Sequence, residues 1–574
     1  MNSFLVLLMC LLSTLVAEAS TPIIIRPDDA QDLTLFLRTE IENADTDEIH
    51  IIFEKGRYDF RPDYAVQKYC VITNHGNGLK NILLRLQDKK IVTIQGNGAK
   101  LILHGRFFPF LLENCSEVRI SDLTIDWDIP FLFQAEVTAV NEEEGWREVR
   151  PYREGYSWKL KTGRISFPEI DGFSYSALGN TLAFDPASQD VQAGAKDIYS
   201  MASRVVQRPG GVLRIYEKCK WYPPVGSIQV SKGDRENDRY APAFDFKDCR
   251  NIRLENITIH HALGMGFLFE RCEDICLSGA EISLTPGSDR LVSTTADATH
   301  FANCKGQILL EGCTFRNMLD DGSNVHGTYV VVNKVTGPNS LVAELMHFEQ
   351  QGFKFAAPGD EIWFIHQPSP ERGETNVVKT VKVLNEKYIA YTFEQPFPEG
   401  LRNGDLLENK TWNPDYTMRK CQISHHRARN VVLKTPGKII IEDNDFSSMM
   451  SSILFRGESS YWYESGAVRD ALIMNNRFRN CAASSPDNAV LLISPRLGKL
   501  FDQEAPFDRN IRFLANEIEG LNPKIVDASR TESLVIRDNH ITVTSGQTFG
   551  AVEHFKTTDC TTVIVMDNEI NYIP

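Results

Sequence analysis

Residues 249–259 read CRNIRLENITI, and residues 272–282 repeat the pattern as CEDICLSGAEI. Counted from the cysteine, apolar residues stand at positions +3, +5 and +10, and Asn or Gly stands at +7. Two alternating apolar residues make a short strand, Asn or Gly makes a corner, and a second short strand follows. The pattern therefore predicts part of one coil in a repeating structure.

The same frame recurs along most of the chain. It begins again at Cys115 and Cys560, and at Cys304 it runs one residue late. Copies without the cysteine have their corner residue at positions 443, 475, 515 and 538. Short strands at a repeat of about twenty residues, with no helical pattern between them, favour a parallel β-helix. We therefore predict an all-β fold built on a right-handed parallel β-helix.

Two long gaps interrupt the frame. Cys249 and Cys272 are 23 residues apart, whereas Cys115 precedes Cys249 by 134 residues. A gap of 132 residues likewise follows Cys304. The spacing predicts β-helix coils at 20–130, 241–327 and 421–574, separated by two inserted β-rich, barrel-like domains at 131–240 and 328–420. Strand-like runs in the second insert favour a barrel or sandwich, while the pattern of the first insert leaves its fold open.

The N-terminus has the features of an export signal. Residues 4–12 are apolar, and Ala17-Glu18-Ala19 fits the small-x-small cleavage pattern. We predict cleavage after Ala19 and a periplasmic or secreted protein. No later stretch is apolar over the roughly 18 residues that a membrane span needs.

Composition narrows the class of ligand. A net charge of −15 argues against nucleic acid or an anionic membrane as the partner. It suits an oligosaccharide or glycoconjugate, preferably a neutral one. The 12 cysteines lack zinc-site spacing, and several share one coil position, which favours buried free thiols over disulfide bridges. We expect no metal and no cofactor, and a homo-oligomer is compatible with the sequence.

Three aspartates stand out against the repeat. Residues 295–301 read TADATHF and residues 319–325 read LDDGSNV, so Asp297 and Asp321 are 24 residues apart. A third copy, LGMGFLF at 263–269, has no carboxylate. Because stacked strands lie about 4.8 Å apart, Asp297 should lie directly beneath Asp321. A bulge at Gly322 would bring Asp320 to the same exposed cleft.

Such a cluster has the chemistry of glycoside hydrolysis. Neighbouring carboxylates repel, which raises the pKa of at least one of them. A protonated acid and an ionised neighbour can protonate the leaving oxygen and activate water. Asp-Asp-Gly is also a common turn string, but a stack of like charges one coil apart favours a functional site.

Further residues are candidates for substrate binding. His326 follows the second aspartate motif, where it could orient a substrate or a carboxylate, or serve the structure alone. His260 and His261 follow a coil strand, and Arg456, Trp127 and Trp462 occupy similar positions on other coils. Because the second insert leaves the coils directly after Asp320 and Asp321, we expect it to form a wall beside the aspartates. Its Asp360 and Glu361, at a Pro-Gly turn, could project toward a terminal sugar or lie in a solvated loop.

The chain resembles glycoside hydrolase family 110 in its signal peptide, in TTADATHF at 294–301, in NMLDDGSNVHG at 317–327 and in its two inserts. The resemblance covers essentially the whole mature chain. It implies an exo-acting, inverting α-1,3-galactosidase that uses no metal and acts on blood-group-B-type or linear glycans. Carried over residue by residue, it identifies Asp297, Asp320 and Asp321 as the catalytic carboxyls, without dividing acid from base.

Two other classes stay open at this level. Polygalacturonase-like enzymes are also inverting β-helix hydrolases with clustered aspartates, but their Asn-Thr-Asp and Gly-His-Gly strings are replaced here by TAD at 295–297 and VHG at 325–327. A secreted β-helix that binds glycans without turnover is the non-catalytic alternative.

Overall fold

The computed structural model describes residues 21–573 except 45, 153–157, 171–172, 176–177, 201, 203, 234–237 and 545–552. Side chains are described for the same residues, with the further exception of 167–177. The export signal predicted for residues 1–19 lies outside the described residues. Among the described residues, no helix is both long enough and apolar enough to cross a membrane.

The predicted parallel β-helix is confirmed. Each full coil has three faces, and strands on each face pair in parallel with those of the next coil. Three long strands turn the corner and serve both the first and the second face: Ile91–Leu103, Ser116–Trp127 and Arg250–Ile259.

The remaining strands divide among the faces. The first face holds Ile23–Ile25, Glu48–Phe53, Glu273–Ser278, Lys305–Glu311, Pro414–Arg419, Lys438–Glu442, Asp470–Met474, Asp508–Leu514, Thr531–Arg537 and Thr561–Met566. The second holds Arg57–Phe60, Glu281–Ile282, Thr314–Arg316, Gln422–Ser424, Asp445–Phe446, Arg477–Arg479, Glu517–Gly520, His540–Thr544 and Glu569–Ile573. The third holds Gly78–Gln87, Phe108–Glu113, Phe244–Lys247, Phe267–Glu270, Thr299–Ala302, the start of Ser323–Gly337, Val431–Lys434, Ile453–Phe455, Leu491–Ile493, Val526–Ser529 and Phe555–Thr558.

The corner between the first two faces forms as the repeat predicts. The +7 residue adopts the left-handed backbone in every copy, with φ between 50° and 63°, and is Asp, Asn, Gly or, once, Ala. Asn and Asp tolerate this conformation better than most residues. In the C-terminal coils the next residue is an asparagine, and the side-chain amides bond from coil to coil at 2.8–3.1 Å: Asn444, Asn476, Asn516, Asn539 and Asn568.

The interior is apolar and stacked. Phe246, Phe269 and Phe301 lie one above another, with ring centroids 5.0 and 4.9 Å apart. The extra residue after Cys304 forms a local bulge. Glu273 pairs with Lys305, but Ile275 pairs with Ile308, so the additional residue lies between these pairs, near Gly306 at φ +69°. Within the described chain all eleven cysteines carry free thiols, most of them buried.

The two inserts are antiparallel. The first forms a seven-stranded sheet and a three-stranded one; its strands are Phe133–Asn141, Trp146–Pro151, Gly179–Phe184, Ile198–Ser200, Arg204–Gln207, Leu213–Tyr216 and Ile228–Ser231, then Lys159–Lys161, Arg164–Ile170 and Phe173–Tyr175. The second closes into a six-stranded barrel. It is made of the end of Ser323–Gly337 with Ser340–Glu344, Tyr388–Phe393, Thr375–Val383, Glu361–Ile365 and Leu406–Asn409.

Few elements are not part of these layers. Val66–Cys70 forms a hairpin with Gly78–Gln87, and Glu464–Ser465 pairs antiparallel with Gly327 and Thr328. The α-helix Leu33–Asn43 begins at Asp32, whose side chain accepts a hydrogen bond from the Leu35 N–H at 3.0 Å. Short 3₁₀ turns lie at Pro62–Tyr64, Pro209–Gly211 and Phe348–Gln350.

Candidate active site

The two aspartate motifs stack in the predicted register. Thr299 pairs with Ser323 in adjacent coils, and the Asp321 N–H donates to Asp297 Oδ1 at 3.3 Å. The copy without a carboxylate also aligns, since Phe269 pairs with Phe301 and thereby puts Met265 at the position of Asp297. The carboxylates are thus placed on a repeat that also forms with methionine at this position.

The expectation of an exposed cleft is wrong for two of the three acids. Asp297 and Asp321 are only 3% and 2% exposed, whereas the Asp320 side chain is 21% exposed. All three reach one pocket because residues 317–322 form a loop, so strand alternation does not apply to Asp320. Gly322 permits a close approach: a Cβ there would lie 2.6 Å from the Asn430 carbonyl oxygen.

Arginines hold two of the carboxyls. Arg429, at the same position in the next coil, donates its backbone N–H to Asp321 Oδ1 at 3.0 Å and its Nη2 to Asp321 Oδ2 at 2.7 Å. Arg239, which follows the first insert, donates from Nη2 to Asp320 Oδ2 at 2.8 Å. One oxygen from each carboxyl lies within 4.8 Å of one oxygen from each of the others.

The surroundings divide the cluster by charge. Burial, together with the charge of Asp320, raises the pKa of Asp297 to about 8. Burial also raises the pKa of Asp321 to about 8, against the opposing effect of Arg429. Because the two acids are in contact, they titrate as a coupled pair that keeps at least one proton at neutral pH. Burial opposes ionisation of Asp320 too, but Arg239 and nearby cations outweigh it and lower its pKa.

The carboxyls line a pocket of about 480 Å³. Four other parts of the chain complete its walls: Asn74 of the N-terminal hairpin, the first insert, Glu349 of the second insert, and the C-terminal coils. The first insert supplies Asn180, Leu182, Asp197, Tyr199, Val230 and Lys232. The sequence pattern pointed instead to the second insert as the wall beside the aspartates.

Arg456 and Trp462 line the pocket as expected for substrate-binding residues. The Arg456 guanidinium is held by Ser494, with Nε 3.0 Å from the carbonyl oxygen. Burial lowers the pKa of Arg456 to about 9, and the charge of Arg496 adds to this effect.

His326 lies behind the pocket, where its Nε2 is 2.8 Å from Nε2 of His300. His300 itself lines the pocket and bonds Asp297 Oδ2 through Nδ1 at 2.7 Å. Sequence reasoning assigned no role to His300, although it stands three residues after Asp297.

The other expected contacts lie outside the pocket. His260 Nδ1 bonds the Ser283 carbonyl oxygen, and His261 is buried against Trp127 with ring centroids 5.5 Å apart. His260 and His261 follow a strand that ends on the second face of the β-helix, whereas the pocket lies on the third face. They are therefore not part of the site. Glu361 pairs with Lys410 at 2.9 Å on the barrel surface, and Asp360 is buried in an ion pair with Arg271 at 3.0 Å.

Apart from Arg456, the cationic residues of the pocket were missed. Arg429 could have been found by extending the register one coil beyond Asp321, since Ser323 pairs with Val431. Arg239 carried no such signal, because it follows an insert and reaches the site only through the folded chain.

Among the described residues, two groups of side chains have metal-ligand atoms within 4.8 Å of one another: the three aspartates, and His300 with His326 and Glu464. Each group contains carboxylates already paired with a cation: Asp320 with Arg239, Asp321 with Arg429, and Glu464 with Lys434. Arginine and lysine side chains of the protein thus balance the negative charge of these carboxylates.

A pocket with three carboxyls on a parallel β-helix is the kind of site that carbohydrate-cleaving enzymes use. Comparisons with known proteins agree. The family models described as GLAA-B beta-barrel domain I and domain II match residues 133–228 and 340–407. These ranges fall within the two inserts.

Relatives align over most of the chain. An alpha-1,3-galactosidase A from Shewanella woodyi is 34% identical, covering 86% of this chain and 80% of its own. An alpha-1,3-galactosidase B from Bacteroides thetaiotaomicron is 29% identical, covering 99% of this chain and 95% of its own. The chain therefore belongs to the alpha-1,3-galactosidase family, glycoside hydrolase family 110, and is a glycoside hydrolase.

Proposed function

We propose that this glycoside hydrolase removes terminal α-1,3-linked galactose from glycans, and that Asp297, Asp320 and Asp321 are its catalytic carboxyls. The observation that carries the proposal is their meeting at one pocket, in a register that other coils fill with apolar or basic residues. The names of the relatives support the sugar and the linkage.

The charge pattern supports acid–base chemistry. Glycoside hydrolysis needs one carboxyl that protonates the leaving oxygen and one carboxylate that acts on water or on the sugar. The pair of Asp297 and Asp321 holds a proton at a pH where Asp320 is ionised. The cluster thus has both forms available near neutral pH.

The walls support exo action. A β-helix alone presents an open groove, along which a polymer could lie. Here the first insert and the C-terminal coils contribute to a pocket of about 480 Å³, which suits one or two sugar rings at a chain end. Trp462 offers an aromatic surface for the apolar face of a sugar.

We propose inversion of configuration on the strength of the family resemblance. The separation of the carboxyls does not argue for it, because oxygens within 4.8 Å are closer than the roughly 6.5–9.5 Å usual for inverting pairs. That separation applies to sites with two carboxyls, and this site has three. Here two of the acids can hold the attacking water between them while the third protonates the leaving oxygen. We further propose blood-group-B-type or linear glycans as substrates and a location outside the cytoplasm.

Proton NMR of the first product tests the proposal. The enzyme should be given a linear α-1,3-galactoside, a fucose-branched one, and matched α-1,4- and α-1,6-galactosides. We expect β-galactose as the initial product from at least one α-1,3-linked substrate and little release from the others. Initial α-galactose would overturn the inverting mechanism, and cleavage inside a chain without release of terminal galactose would overturn exo action.

A further inference from the structure

Two buried imidazoles form a hydrogen-bonded chain behind Asp297. Asp297 Oδ2 lies 2.7 Å from His300 Nδ1, and His300 Nε2 lies 2.8 Å from His326 Nε2. His326 Nδ1 then meets the carbonyl oxygen of Gly327 at 2.6 Å. The two imidazoles are 1% exposed or less and connect the pocket to the backbone at the start of the second insert.

The backbone end of the chain fixes the direction of every hydrogen bond in it. A carbonyl oxygen only accepts, so His326 Nδ1 must carry the proton that it donates to Gly327. A neutral His326 then has a bare Nε2, which can only accept. His300 Nε2 must therefore be the donor in the contact between the two rings.

The same assignment of donors and acceptors applies to the Asp297 carboxyl. A neutral His300 with its proton on Nε2 has a bare Nδ1, and two acceptors do not approach to 2.7 Å without a proton between them. Asp297 Oδ2 must then supply that proton. The remaining oxygen, Oδ1, accepts the Asp321 N–H.

Burial favours the neutral form of both imidazoles. Burial lowers the pKa of His300 to about 4 and that of His326 to about 3. The charged groups around the rings include Glu464, which favours the cationic form, and Lys434, which opposes it and pairs with Glu464. Arg239 opposes protonation of His300, while Asp320 favours it, and the neutral His75 lies on the far side.

Asn74 is compatible with either tautomer of His300, because its amide can present oxygen or nitrogen. Asn74 Nδ2 lies 3.0 Å from His300 Nε2 and 3.5 Å from Glu464 Oε1, and within the described chain Asn74 Oδ1 is buried without a hydrogen-bond partner. With its oxygen toward His300, it becomes a second acceptor for the Nε2 proton. With its nitrogen there, His300 Nε2 would have to accept, which would leave two bare nitrogens facing each other at 2.8 Å.

We propose that His300 and His326 form a relay of fixed direction that makes Asp297, rather than Asp321, the protonated carboxyl of the pair. The two histidines are positioning residues that act through Asp297. Asp321 fits the ionised role because Arg429 gives it two donors. The consequence for catalysis rests on the proposed function, whereas the protonation state does not.

The backbone end of the relay is well anchored. Gly327 pairs with Ser465, and a Cβ at Gly327 would lie 2.4 Å from Ser465 Oγ. Gly327 lies within the strand Ser323–Gly337, whose end enters the second barrel. The C-terminal coils therefore anchor Gly327 from behind the site, and the second insert contributes through Glu349 in the wall.

Two substitutions at His326 separate a directional relay from simple packing. His326→Leu removes the acceptor on the neighbouring ring. Asn74 can then present its nitrogen to His300 Nε2, and the His300 proton can move to Nδ1 and be donated to an ionised Asp297. His326→Gln retains an acceptor oxygen and should preserve the relay. His260→Gln is the matched control, because this half-buried histidine bonds only a carbonyl oxygen outside the pocket in the part of the chain described.

Nitrogen-15 NMR of histidine-labelled protein reads the tautomer without any need for activity. The His300 signals are identified by their loss in His300→Asn. We expect protonated Nε2 and bare Nδ1 in the wild type, in His326→Gln and in His260→Gln, and the reverse in His326→Leu. Protonated Nδ1 in the wild type would overturn the proposal, even if the enzyme proves to be a galactosidase.

The pH dependence of kcat/KM is the second measurement. Because an ionised Asp297 gains a donor in His326→Leu, the limb that reports the carboxyl pair should move to lower pH by about one unit. His326→Gln and His260→Gln should leave it in place. An unshifted limb in a folded His326→Leu enzyme would show that the imidazoles only pack. Absence of galactosidase activity in the wild type would instead count against the proposed function alone.

Discussion

Two adjacent coils carry an aspartate at the same position but surround it with different side chains. Asp297 and Asp321 are in register, equally buried and in contact. Behind Asp297 lie two neutral imidazoles, whereas Asp321 receives a backbone N–H and a guanidinium from Arg429. The comparison teaches that the repeat determines where a carboxyl stands, and that its neighbours determine whether it carries a proton.

The difference also changes what each carboxyl contributes to stability. Burying an ionised group is costly unless a partner compensates it. Arg429 provides that compensation for Asp321, so the two charges depend on each other. A protonated Asp297 is neutral and does not incur this cost, and an asparagine at this position would be neutral as well.

Replacement of the carboxyls should give the largest effect. Asp297→Asn, Asp320→Asn and Asp321→Asn remove a proton donor or a base, and at least two of them should lower kcat by about a hundredfold or more. The measurement is release of galactose from the best α-1,3-galactoside, with circular dichroism as the check on folding. Near-normal turnover in all three variants would mean that the site is elsewhere.

Stability should distinguish the two stacked acids next. Asp321→Asn leaves Arg429 without its carboxylate and should lower the free energy of unfolding by about 2 to 3 kcal/mol. Asp297→Asn keeps a hydrogen-bond donor toward His300 and should have little effect or stabilise. Urea unfolding at pH 7 measures both, and equal losses in the two variants would contradict the difference in protonation.

A further effect should appear in the pH dependence of unfolding. The folded-state pKa of Asp297 is raised from 3.8 to about 8, so the folded protein binds the proton more tightly than the unfolded chain. Stability from this proton is complete below about pH 4 and is lost as pH rises toward 8, by at most about 1.4 kcal/mol per pH unit. Asp297→Asn should show a shallower decline, because it lacks the Asp297 proton while the raised pKa of Asp321 remains. A wild-type curve parallel to that of Asp297→Asn between pH 5 and pH 8 would argue against a raised pKa at Asp297.

The smallest effects should come from residues outside the pocket. His260→Gln and Glu361→Gln should change kcat/KM by less than about twofold, as most surface substitutions far from a site do. Assays of both variants on the same α-1,3-galactoside, beside Arg456→Lys as a pocket variant, provide the comparison. A large loss in Glu361→Gln alone would return the barrel turn to the substrate site.

The inserts show where sequence patterns are strong and where they are weak. Strand alternation in 329–332 and 361–365 predicted a barrel or sandwich, and the second insert is a closed barrel. Proximity along the chain then suggested that it forms the wall beside the aspartates. The first insert supplies more of that wall, from strands in its middle and from Lys232 and Arg239 at its end.

The sequence by itself determined the solenoid, its corners and the stacking of Asp297 on Asp321. These features depend on neighbouring coils that repeat at a short, regular spacing, so the pattern of side chains carries the geometry. The burial of the acids, the pairing of Asp320 with Arg239, and the relay through His300 and His326 were decided by the tertiary structure alone. They join residues from the first insert, the coils and the N-terminal hairpin, and no spacing along one chain records which loops will fold over one pocket.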